Sequence, residues 1–134
     1  MEQYDLDPQV KEVIDKIEEI GKALRTDAIS KSFSPRAEYL KMLDIATGCY
    51  MFLAPEYKRY RAIKENNEVA KYVTLKNEQI TKFVSASAER EASTFVSKER
   101  YIRDVLEGWL MAAEQAIYTL KKHLGDDKKE ESLS

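Results

Sequence analysis

The stretch EYKRYRAIK (56–64) sets Lys58, Arg59, Arg61 and Lys64 around two tyrosines, Tyr57 and Tyr60. On a helix that advances about 100° per residue, Tyr57, Tyr60, Arg61, Lys64 and Lys71 gather on one half, while Lys58 and Arg59 fall elsewhere. Cations neutralise phosphates and aromatic rings stack on bases, so this face has the chemistry that holds a single nucleic-acid strand. The same spacing also builds a second packed stripe, with tyrosines at i and i+3 and lysine stems laid along them. Ala62, Val69 and Val73 lie together on the opposite half, with Ile63 and Ala70 to one side, and read as the core-facing side.

Other chemistry has few residues to work with. His123 is the only histidine and Cys49 the only cysteine, so a hydrolytic triad, an internal disulfide and most zinc sites cannot be assembled within one chain. No Glu-x-x-His pair is present to ligate a ferritin-like di-iron centre, and no glycine-rich loop to cradle a phosphate. His123, beside Lys121 and Lys122, reads as favourable positive charge at a helix C-terminus. Cys49, among apolar neighbours, reads as a buried structural thiol in a reducing cytoplasm. No catalytic role, metal or cofactor is expected.

The elements that carry these residues all read as helices. With 43% hydrophobic and 34% charged residues, and only four glycines and three prolines, the composition of the 134-residue chain is that of an α-helical globular domain. The longest apolar run, CYMFLA, is far too short to span a bilayer, and the acidic start MEQYDLDPQV resembles neither a secretory signal nor a transit peptide. Asp7 as cap and Pro8 at the first position open a short helix whose Val10, Val13, Ile14, Ile17 and Leu24 share a face. TDAISKSFS reads as a linker, and Ser34–Pro35 restart a helix toward Leu53 that buries Tyr39, Leu40, Leu43 and part of CYMFL. Pro55 then predicts a tight reversal into a third helix ending near Thr81, making an antiparallel hairpin.

The strongest periodicity comes last. From a start at Ser85, Ala88, Ala92, Phe95, Ile102, Leu106, Trp109, Ala113, Ile117, Leu120 and Leu124 step by threes and fours, with Glu99 the one interruption. The pattern predicts one helix of about 39 residues, or about 58 Å, that Gly125 stops. Residues 1–125 are thus expected to form a single helical domain and 126–134 a mobile polar tail. Shorter helices cannot cover so long a stripe, so self-association is expected, with Phe95, Ile102, Leu106, Trp109, Leu110 and Ile117 at the oligomer interface.

Charge singles out the middle of the chain. Residues 1–54 carry a net −3, residues 55–103 a net +4 and residues 104–134 a net −3, an asymmetry that suits an anionic partner of the mid-chain segment. Arg90, Lys98, Arg100 and Arg103 either extend that basic surface or pair with Glu91, Glu99 and Asp104.

The order of features is also familiar. A short helix precedes the hairpin segment EYLKMLDIATGCYMFLAPEYKRYRAIKENNEVAKYVTLK, and a long helix VSASAERE…LEGWLMAAEQAIYTLKKHL follows. From about residue 35 onward the chain resembles the UvsY family of phage recombination mediators. The matches are V-S-A at 84–86, Gly108 and Leu110 as G-x-L, and A-I at 116–117 before a basic end. The resemblance implies a homo-oligomer that binds single-stranded DNA and helps a RecA-like recombinase load onto strands covered by single-strand-binding protein. It places the DNA contacts toward the end of the hairpin's second helix, at Lys71 and Lys76. The family's basic run is denser there, whereas this chain concentrates its cations at residues 58–64.

The expectation is therefore an all-α, oligomerising, non-enzymatic accessory protein of phage-type recombination or replication, acting in the host cytoplasm. Its nucleic-acid-binding residues would be Tyr57, Tyr60, Arg61, Lys64, Lys71 and Lys76. The rival expectation is a helical protein–protein module, such as a phage inhibitor or assembly factor, with no nucleic-acid role.

Overall fold

The computed structural model describes residues 5–78 and 84–133, with side chains as far as residue 125. These residues form four α-helices and no strand: α1 (Pro8–Leu24), α2 (Pro35–Glu78), α3 (Ser85–Phe95) and α4 (Ser97–Leu133). Among them no helix is long and apolar enough to cross a membrane.

The first helix begins as its sequence predicts. Pro8 takes the first position, where a missing N–H is no loss, and the Asp7 carboxylate accepts from the Gln9 amide at 2.8 Å. Val10, Ile17 and Ile20 are buried along one stripe. Residues 25–34 form the expected irregular linker, which Ile29 anchors by entering the core.

The expected hairpin is not formed at Pro55. α2 runs unbroken for 44 residues with Pro55 inside it. A reversal of helix direction commonly uses a residue in the left-handed region, and no described residue has a positive φ. Leu53, immediately before the supposed turn, is fully buried. That burial fits a helix that ends there as well as one that continues, and proline inside a helix removes one hydrogen bond without forcing a reversal. The expected end near Thr81 lies outside the described residues.

The long final helix is interrupted where the stripe seemed continuous. α3 ends at Phe95, Val96 forms a turn with φ −102° and ψ 23°, and α4 starts at Ser97. The Arg100 guanidinium donates to the Ser93 carbonyl at 2.8 Å and also to the Ser93 hydroxyl. That contact occupies a carbonyl the ending helix leaves without a partner. At the turn the stripe steps by one residue, while Ile102, Leu106, Ala113 and Leu120 beyond it stay buried as expected. Val96 becomes fully buried, and Phe95, expected on the stripe, is 58% exposed. Val84, rather than Ser85, stands at the cap position of α3.

At the other end, α4 continues through Gly125 to Leu133. A single glycine weakens a helix by only about 1 kcal/mol, and beyond Asp126 and Asp127 the run of lysines and glutamates at 128–131 favours helix. Gly125 is therefore not the stop that its type predicts. The side chains of 126–134 lie outside the described residues.

The chain divides into two units. One is the mid-chain segment Pro55–Glu107; the second joins Leu6–Ala54 to Gly108–Ser134. In the second unit Ile20, Ile29, Tyr39, Ala46, Ala116 and Leu120 form a buried cluster. The His123 ring lies parallel to Tyr39 with centroids 4.9 Å apart, so the lone histidine serves packing. Cys49 is buried as expected; burial pushes its thiol pKa up, opposed by the charge of Lys16.

Candidate nucleic-acid interface

The mid-chain unit has a core of modest side chains: Leu75, Ala88, Ala92, Val96, Ile102 and Leu106 are its buried apolar residues. With so little aliphatic volume available, α2 turns its aromatic face toward α3 and α4. Tyr57, Tyr60, Lys64, Lys71 and Tyr72 are half-buried and Leu75 is buried. Val69 and Val73 are 62% and 47% exposed, and Ala62 and Ala70 are also exposed. This reverses the expected orientation of the helix. Tyrosine rings bury far more apolar area than alanine or valine, and lysine stems add to it while their ammonium groups stay wet.

The reversal decides what the basic strip can do. Arg59 pairs with Glu56 at 2.8 Å and lies over the Tyr60 ring at 4.7 Å. Arg61 pairs with Glu65 at 3.4 Å, and Lys64 with Glu68 at 3.1 Å. Glu68 also meets Arg100 at 3.6 Å, joining α2 to α4. Hydrogen bonding to Glu56 raises the pKa of Arg59 above its usual value, as hydrogen bonding to Asp104 does for Arg103. The EYKRYRAIK strip is thus largely neutralised within its own turns. Of the pairings open to the last helix, Arg103 takes Asp104, whereas Arg100 takes Glu68 rather than Glu99.

A different cluster of positive charge is left. Lys71 on α2 places its ammonium 5.1 Å from the centre of the Phe95 ring on α3. These two residues line a shallow concavity of about 420 Å³ with Ser87, Arg90, Glu91 and Thr94. Neither Lys71 nor Arg90 forms an ion pair with a carboxylate of the described residues. Lys76 is exposed further along α2, and Tyr72 shares a hydrogen bond with Ser85 at 3.2 Å, holding α3 against α2.

The structure therefore brings Lys71 into a site with residues that the strip did not include. Tyr57, Tyr60 and Lys64 belong to the packed face, and Arg61 to the surface beside it. In the sequence Arg90 either extends the basic surface or pairs with an acid, and nothing there points to Ser87, Glu91 or Thr94 as binding residues. A signal was present: Ser87, Glu91 and Phe95 are spaced by four, as are Arg90 and Thr94, which puts them on one side of a helix.

The expected interface residues are scattered. Ile102 and Leu106 lie in the core of the mid-chain unit, so the chain itself supplies their burial. Ile117 packs on the buried cluster of the second unit. Trp109 is half-buried and lines a concavity of about 520 Å³ with Ile17, Gly21, Leu24 and Ala116 between α1 and α4, and Leu110 is half-buried. Phe95 is the one of the six that exposes most of its surface.

Compared with known proteins, the chain matches no family model, no curated protein and no solved structure.

Proposed function

We propose that this chain is a non-enzymatic accessory protein of phage-type recombination or replication that binds single-stranded DNA, with the mid-chain unit carrying the contact. The observation that supports it is the Lys71 ammonium over an exposed Phe95 ring, with Arg90 on the same concavity. That arrangement combines a phosphate-neutralising pair of cations with an aromatic face. Each chain offers few such contacts, so useful affinity requires several copies on one strand. Homo-oligomerisation and the loading of a RecA-like recombinase onto strands covered by single-strand-binding protein are the parts of this reading that follow from the UvsY resemblance.

Replacing Lys71 and Arg90 together by alanine tests the contact. Both side chains are at the surface or half-buried, so helicity should be unchanged. Anisotropy of a labelled single strand should show weaker binding, with a salt-dependence slope reduced by roughly 1.4, at about 0.7 per lost phosphate contact. An unchanged slope places the phosphates elsewhere. Light scattering at moderate salt should give a mass well above 15.5 kDa; a clean monomer removes the multivalent mechanism.

One observation favours the rival reading, a helical protein–protein module. Val69 and Val73 stand exposed on α2, beside a groove lined by Glu68, Val69, Tyr72, Glu89 and Ala92. Failure to bind any single strand at low as well as high salt would make that surface the binding face.

A further inference from the structure

The orientation of Phe95 carries more than a general affinity for polyanions. Its ring is mostly exposed at the end of α3, although Val96 beside it is fully buried. A ring this exposed gains little from the core. This one is held in place by Lys71, whose charge is attracted to the ring's quadrupole. Around it the concavity is divided in charge. Arg90 contributes a cation, Ser87 and Thr94 contribute hydroxyls, and Glu91, one turn before Phe95, contributes a carboxylate. A phosphate is repelled by Glu91 and attracted by Arg90 and Lys71, whereas a base edge carrying an amino group can donate to Glu91. The volume of about 420 Å³ falls within the range of small-ligand sites, about 300–1,000 Å³.

We infer that Phe95 is a stacking platform for one base of the bound strand. The neighbouring phosphate is held by Arg90 and Lys71, and Glu91 keeps the phosphate away from the base position. This rests on the single-stranded-DNA reading and adds that the site recognises a nucleotide, not a phosphate chain alone. Every base has a flat π-face, so the stacking itself is open to any base, while Glu91 favours those that carry an amino group.

The test compares two labelled strands of equal length, one carrying bases and one fully abasic, on the full-length protein. Wild type is expected to bind the base-bearing strand about 10-fold more tightly, within the range that one stacked base supplies. Phe95→Leu keeps an apolar side chain at an exposed position, so circular dichroism should show unchanged helicity, and the variant should bind both strands alike. Lys71→Met should weaken both strands. Wild type that binds the two strands equally, or Phe95→Leu that keeps the wild-type preference for bases, overturns the stacking platform while leaving the DNA reading standing. Wild type that binds neither strand removes both.

Discussion

Leu106→Ala is expected to destabilise the protein by about 3–5 kcal/mol, at the upper end for a buried leucine. Leu106 has no exposed surface, and the other buried residues of its unit include Ala88, Ala92 and Val96. Small side chains have no length with which to collapse into the space, so most of the cavity would remain. Against a total stability of about 5–15 kcal/mol, such a loss would leave the mid-chain unit only marginally folded. Urea unfolding followed by far-ultraviolet circular dichroism measures it. The loss should also be independent of protein concentration, because Leu106 packs within its own chain. A loss that grows on dilution would return Leu106 to an interface between copies, and a loss below about 1 kcal/mol would mean that the side chain is not buried. Trp109→Ala should cost less than burial of a tryptophan would suggest, since the ring is only half-buried.

Pro55→Ala should stabilise the protein by about 2 kcal/mol. In the interior of α2, proline lacks the N–H that would donate to the carbonyl of Met51, and its ring crowds that carbonyl; together these cost about 3 kcal/mol. Alanine restores the bond but returns about 0.4–1 kcal/mol of conformational entropy to the unfolded chain. Both Pro55 and Met51 are exposed, so water already satisfies part of what proline leaves open, which holds the gain below the full cost. Thermal unfolding should show the midpoint rise by several degrees. A lower or unchanged midpoint would mean that the chain turns at Pro55, as a hairpin requires, and that proline favours the turn. This one substitution separates the continuous helix from the hairpin.

Much of the helical pattern could be read from residues close together in the chain. Asp7–Pro8 and Ser34–Pro35 mark helix starts through bonds made or lost within one turn, and α1 and α2 begin there. Pro55 and Gly125 were less legible. Their local preferences oppose helix by a few kcal/mol at most, which the helical turns on either side can override. The candidate site was legible only in pieces. The sequence points to Lys71 for binding, leaves Arg90 either on the basic surface or paired, and sets Phe95 on a packing stripe.

What the sequence by itself determined is the all-helical class, the starts of α1 and α2, the linker, the burial of Cys49 and the concentration of positive charge in the middle of the chain. Each depends on composition or on neighbours within a turn or two. Tertiary structure decided which side of α2 faces inward, because that choice compares the area Tyr57, Tyr60 and Leu75 bury with the area Ala62, Val69 and Val73 would bury. It also decided the break at Val96, where the Arg100 guanidinium reaches back to Ser93. And it brought Lys71 over Phe95, two residues 24 positions apart in the chain. Periodicity places residues on a face of one helix; only packing against another helix chooses which faces meet.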